Sequence, residues 1–68
     1  MKTWTLKISV HVAGGGIEIF ESNLLASNAN HARSRFWETN LRSEIYEVRH
    51  IQMDKVNSIT IISVTEKK

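Results

Sequence analysis

Three histidines, one aspartate, a run of glycines and a cluster of arginines beside aromatic residues are the parts of this chain whose types could do chemistry. His11, His31 and His50 lie about twenty positions apart. No two of them have the i, i+4 spacing that aims two imidazoles at one metal from a helix. They read as an outward strand residue, an exposed helix residue and a sheet residue. Asp54 is the only aspartate, in a polar stretch where Asp usually bonds the local backbone, so a Ser-His-Asp triad has no natural third member. Glu18, Glu21, Glu38, Glu44 and Glu47 are spread along the chain, and none sits in the kind of apolar setting that tunes a carboxyl for acid catalysis. The consecutive Gly14, Gly15 and Gly16 invite a phosphate-loop reading. Such loops lead into a helix whose N-terminus faces the phosphate, and here the following residues alternate as a strand does.

Arg33, Arg35 and Arg42 near Phe36 and Trp37 bring together cations and rings, the combination single-strand binders use. On a regular helix, at about 100° per residue, Arg33 and Arg35 point roughly 160° apart and form no single stripe. Structural alternatives stand beside this one: a cation–π contact of Arg33 with Trp37, and an ion pair of Arg35 with Glu38. No catalytic, cofactor or metal site emerges, and no small-molecule substrate is expected.

Composition narrows the classes further. Nine Lys and Arg against seven Asp and Glu give a net charge of +2, too balanced to identify a polyanion binder or an acidic mimic. Cysteine is absent, which removes disulfides and thiol chemistry and suits a cytoplasmic protein. Polar residues interrupt every apolar stretch, so neither a signal-peptide core nor a membrane span is expected. At 68 residues the chain makes one small domain over 1–68, able to bury only about 60% of its unfolded surface.

The elements that must position these residues begin with a strict alternation. Trp4, Leu6, Ile8, Val10 and Val12 are apolar, whereas Thr3, Thr5, Lys7, Ser9 and His11 are polar, the period of a half-buried strand. The glycines then turn the chain into a second, shorter alternating stretch, Ile17-Glu18-Ile19, with the pattern loosening after Phe20 and Glu21, and the two read as a β-hairpin. Ser27 is the expected N-cap of a helix from about Asn28 to Thr39, with Ala29, Ala32 and Phe36 on its buried side, Trp37 and Leu41 extending that stripe, and Asn40 as its stop. Two further strands are expected over 44–53 and 59–65, joined by the polar stretch 54–58 as a second hairpin. The fold class is then α+β, a single four-stranded antiparallel sheet (ββαββ) with one helix packed on one face.

That second hairpin has mixed parity. Ile45, Ile51 and Met53 oppose Tyr46 and Val48, while Ile59 and Ile61 oppose Ile62 and Val64. Either apolar side chains stand on the face that the helix leaves open, or a β-bulge returns them to one core.

Phe20, Ala26-Ser27, Ala32 within a helix, and then Tyr46 and Val48 resemble the layout of small phage proteins that disable host machines such as RNA polymerase or CRISPR complexes. The same stretch is similar to the LX family of archaeal large-subunit ribosomal proteins. The first resemblance implies an inhibitor acting by contact, and the second implies RNA binding.

The expectation is a non-catalytic protein-binding module, of the phage-inhibitor or anti-CRISPR kind, whose partner is a host complex or a second copy of the chain. A small RNA- or DNA-binding module is the alternative. Thr5, Lys7 and His11 on the outer sheet row, joined there by Arg49, with Arg33 and Arg35 on the helix, are the candidate partner-binding residues. Exposed Phe20 or Tyr46 could stack on a base at that face.

Overall fold

A computed structural model describes residues 1–67, with the side chains of Val48 and Met53 excepted. Strands β1 (Lys2–Val12) and β2 (Ile17–Ala26) form the expected hairpin, paired from Lys2↔Ala26 to His11↔Ile17. Gly14 and Gly15 hold φ of +96° and +88°, a region where a side chain would strain the backbone. The turn closes through Val12 N–H donating to the Gly16 carbonyl at 2.9 Å.

β2 runs well past the expected short strand. Phe20, Ser22, Leu24 and Ala26 are buried while the residues between them are exposed, which is full alternation. The signal is faint in sequence because Ser22 and Ala26 face inward and Leu25 faces outward.

The helix starts one residue later than expected. Asn28 is the cap, its Oδ1 accepting from His31 N–H at 2.8 Å. Ser27 supports it differently: its own N–H donates to His31 Nδ1 at 3.0 Å. The cap and the third helical residue thus satisfy donors on each other's side of the junction.

Asn40 does not end the helix. Regular α1 (Ala29–Arg35) continues through a π-helical stretch, Phe36–Asn40, and a second one, Ser43–Val48. The reason lies in the positions that must face the sheet. Ala32, Phe36, Leu41 and Ile45 pack into the core at steps of four, five and four. In a regular α-helix a step of five turns about 140° away from the row. A π-turn adds one residue per turn and brings the fifth residue back. Leu41 N–H donates to the Phe36 carbonyl across this wider turn.

The stretch 44–53 is therefore not a strand, and the four-stranded expectation is corrected to a three-stranded antiparallel sheet in the order β2-β1-β3 with one helix. Ile45, the apolar residue that suggested a strand, is fully buried from the helix. Of that expected parity pattern, the Val48 and Met53 side chains lie outside the described residues. After the helix, His50 takes φ +58°, and its N–H and that of Ile51 cap the Tyr46 and Ile45 carbonyls. A short 3-10 turn, Met53–Lys55, holds Asp54 and leads into β3 (Val56–Glu66), the second edge strand.

Mixed parity in β3 comes from register shifts. Lys7 pairs with Ser63 but Ile8 with Ile61, which leaves Ile62 as an extra residue. Val64, Ile61 and Ile59 accordingly stand opposite Leu6, Ile8 and Val10 on the helix side. The core combines these with Phe20, Leu24, Ala26, Ala32, Phe36 and Ile45. Trp4 is only half-buried, its indole N–H donating to the Ala26 carbonyl at 3.0 Å.

Two measurements check this reading. Deleting Thr39 shortens the step from Phe36 to Leu41 to four, so the variant should retain its helical circular dichroism and a cooperative melt; loss of folding would contradict the spacing argument. His50→Gly removes a left-handed non-glycine residue and should stabilise the fold by about 1 kcal/mol in denaturant titration.

Candidate interaction faces

The sheet presents two unlike faces. The helix covers one. On the other, uncovered by any described element, β1 contributes Thr5, Lys7 and His11, with Ser9 between them buried by its neighbours, and the flanking strands contribute Ile17, Ile19 and Leu25 from β2 and Thr60, Ile62 and Ser63 from β3. Lys7 and His11 are exposed, as expected. Thr5 is half-buried, with its hydroxyl on Asn23 Oδ1 at 2.6 Å, and so serves the β1–β2 pairing as well as the surface. Ile17, Ile19, Leu25 and Ile62 are 50–58% exposed. Sequence reading missed these four as candidates. Ile62 was hidden by its bulge and Leu25 by the unrecognised length of β2, whereas Ile17 and Ile19 lay in the expected strand without a sign of which face they take.

Arg49 does not join this face. Its guanidinium sits on the helix side, 3.6 Å above the Phe20 ring, and donates to Glu44 Oε2 at 2.8 Å and to the Glu44 carbonyl at 3.1 Å. The other Glu44 oxygen accepts from buried Ser22 at 3.1 Å. The result is a four-residue clamp between β2 and the end of the helix. Phe20 lies beneath it, buried, and cannot stack on a ligand. Both charges are only 23% exposed, so each depends on the other for compensation.

Arg33 and Arg35 diverge as helical geometry requires. Arg33 is exposed, whereas Arg35 is half-buried with one guanidinium nitrogen 3.8 Å from the Met1 sulfur. Among the described residues, neither the Arg33–Trp37 cation–π contact nor the Arg35–Glu38 ion pair forms; Trp37 instead meets Phe36 edge to face, with ring centroids 5.7 Å apart. The six candidate residues therefore divide three ways: Thr5, Lys7 and His11 share the open face, Arg33 and Arg35 flank the helix, and Arg49 is structural.

The histidines stay apart. His11 is on the open face, His31 in the first helical turn and His50 at the helix end, and among the described residues no three His, Asp or Glu side chains converge as a metal site would need. Glu18, His50 and Lys55 line one groove at the hairpin end with Val12, Ala13, Ile51 and Gln52. Among the described residues no side-chain hydrogen bond joins any two of these three titratable groups, and none of the three has the base-and-orienter pairing of acid–base catalysis. No described helix is long and apolar enough to cross a membrane.

Comparison of the chain with known protein families, curated proteins and solved structures finds no match. The resemblances to phage inhibitors and to the ribosomal LX family thus gain no support, and the fourth strand on which the layout analogy leaned is absent from the sheet.

The division of roles is testable by stability. Arg49→Ala leaves Glu44 partly buried without its cation and should cost about 2 kcal/mol in denaturant unfolding. Lys7→Ala with His11→Ala, both at exposed positions, should change stability by no more than about 0.5 kcal/mol. The reverse ranking would place the clamp elsewhere.

Proposed function

We propose that the chain is a non-catalytic module that binds a protein through the open face of its sheet. The observation that carries this is the makeup of that face: four half-exposed aliphatic side chains, Ile17, Ile19, Leu25 and Ile62, beside exposed His11 and Thr60 and half-buried Thr5 and Ser63. Its fixed charges, Lys7 and Glu21, stand opposite each other across the β1–β2 pairing and offset one another. A surface with apolar contact area, uncharged hydrogen-bonding groups and few charges suits a protein interface and gives little attraction to a polyanion. The edges of β2 and β3 extend it with backbone groups able to pair with a partner strand.

An inhibitor of the phage type that covers a host nucleic-acid-processing complex is the specific form of this reading, and small size is its support. A cytoplasmic location goes with it, on the absence of cysteine.

Affinity capture with and without nuclease tests the proposal, with wild type compared against Ile19→Lys and against Lys7→Ala combined with His11→Ala. A defined protein complex that survives nuclease and is lost in Ile19→Lys is the expected result. Capture unaffected by both variants would remove the open face as the interface.

A further inference from the structure

The π-turns that align the core also align what stands beside it. One position along from Ala32, Phe36, Leu41 and Ile45 come Arg33, Trp37, Arg42 and Tyr46, with the same steps of four, five and four. Cation and ring alternate along this row, and all four side chains are exposed. Arg42 lines one groove with Trp37, Glu38, Thr39 and Leu41, and a second with Tyr46, Gln52 and Asp54, which places it between the two rings. Among the described residues neither Arg33 nor Arg42 is ion-paired. The next row around is Ser34, Glu38, Ser43 and Glu47, in which the Ser43 hydroxyl donates to Glu47 at 3.3 Å. Arg33 and Arg42 thus stand in one row and Glu38 and Glu47 in the next, roughly 100° around the helix, while Arg35 lies in neither.

We infer that the row Arg33–Trp37–Arg42–Tyr46 binds single-stranded nucleic acid, with Trp37 and Tyr46 stacking on bases and Arg33 and Arg42 pairing with phosphates. Exposed rings suit a partner with flat faces, and every base has one; guanidinium groups alternating with the rings suit a backbone that carries a charge at each nucleotide. An acidic peptide would use the arginines and leave the rings idle. A duplex hides its base faces from Trp37 and Tyr46. Trp37 and Tyr46 are separated by less than about 13 Å along the axis, the α-helical rise of 1.5 Å per residue being an upper bound across the wider π-turns, which fits a short footprint near the lower end of the ~4–16 nucleotides typical of such sites. This row lies on the helix side of the sheet, away from Ile19 and Lys7, so the inference stands or falls independently of the protein-binding reading.

Trp37 supplies the readout, since Trp4 is held in the hairpin by its bond to Ala26. Tryptophan fluorescence is titrated at low salt with a short oligothymidylate, with the same sequence in duplex form, and with polyglutamate. Saturable quenching by the single strand alone is expected, with a slope of log K against log salt of about −1.4 for two phosphate contacts. Arg42→Gln should bring that slope to about −0.7, and Tyr46→Ala should weaken binding by about tenfold. Ile19→Lys should leave both unchanged. Absence of quenching, equal quenching by polyglutamate or duplex, or a slope that Arg42→Gln leaves unaltered would each overturn the inference.

Discussion

One helix has to seal one whole face of a three-stranded sheet, and the five-residue step from Phe36 to Leu41 is how this chain manages it. Phe36 and Ile45 are both fully buried, yet in a regular α-helix nine residues of separation would set them on opposite sides. The Leu41 to Phe36 hydrogen bond absorbs the difference. Had the helix stayed α-helical, either Phe36 or the pair Leu41 and Ile45 would have left the core, and Trp37, which regular spacing puts on the buried stripe with Leu41, would have turned inward; it is instead 44% exposed. The position of every later residue, including the reversal at His50 and the entry into β3, follows from that turn.

The far end of the helix depends on polar contacts as well as packing. Glu44 accepts from Ser22 on β2 and from Arg49 just past the last turn, and the Arg49 guanidinium lies on Phe20. A buried serine in an edge strand would be costly without a partner. Here it locates the helix end laterally, while Phe36 and Ile45 fix its depth. The near end is set by the exchange between Asn28, Ser27 and His31. The helix is thus anchored at both ends by side chains that sequence reading assigned to caps, solvent or a partner.

How much of this was legible varies with the element. The alternation from Trp4 to Val12, the glycine turn, a helix beginning near Asn28 and the last strand could all be read, because each follows a strong local rule. β2 beyond Phe20 was obscured by Ser22 and Ala26, small residues on its inner side. The stretch from Glu44 was read as a strand because Ile45, Tyr46, Val48 and Ile51 favour strands, and because Asn40 offered a plausible stop. Tertiary demand overrode that preference, and the step of four from Leu41 to Ile45 was its trace in the sequence. Of the candidate site, the outward direction of Lys7 and His11 followed from strand parity. The role of Arg49 did not, since it depends on how the π-turns bring Arg49 and its near neighbour Glu44 against the distant Phe20 and Ser22. The row of Arg33, Trp37, Arg42 and Tyr46 was invisible for the same reason, as it exists only with the extra residue per turn.

The molecule thus offers contact surfaces of different chemistry on its two sides, an aliphatic and hydroxyl-lined sheet face and a cation-aromatic helix row, and both depend on the same helical register. The most direct measurement of that register is scalar coupling across hydrogen bonds in solution NMR. The account predicts a correlation from the Leu41 amide to the Phe36 carbonyl. A correlation to the Trp37 carbonyl, the regular α-helical partner, would contradict it.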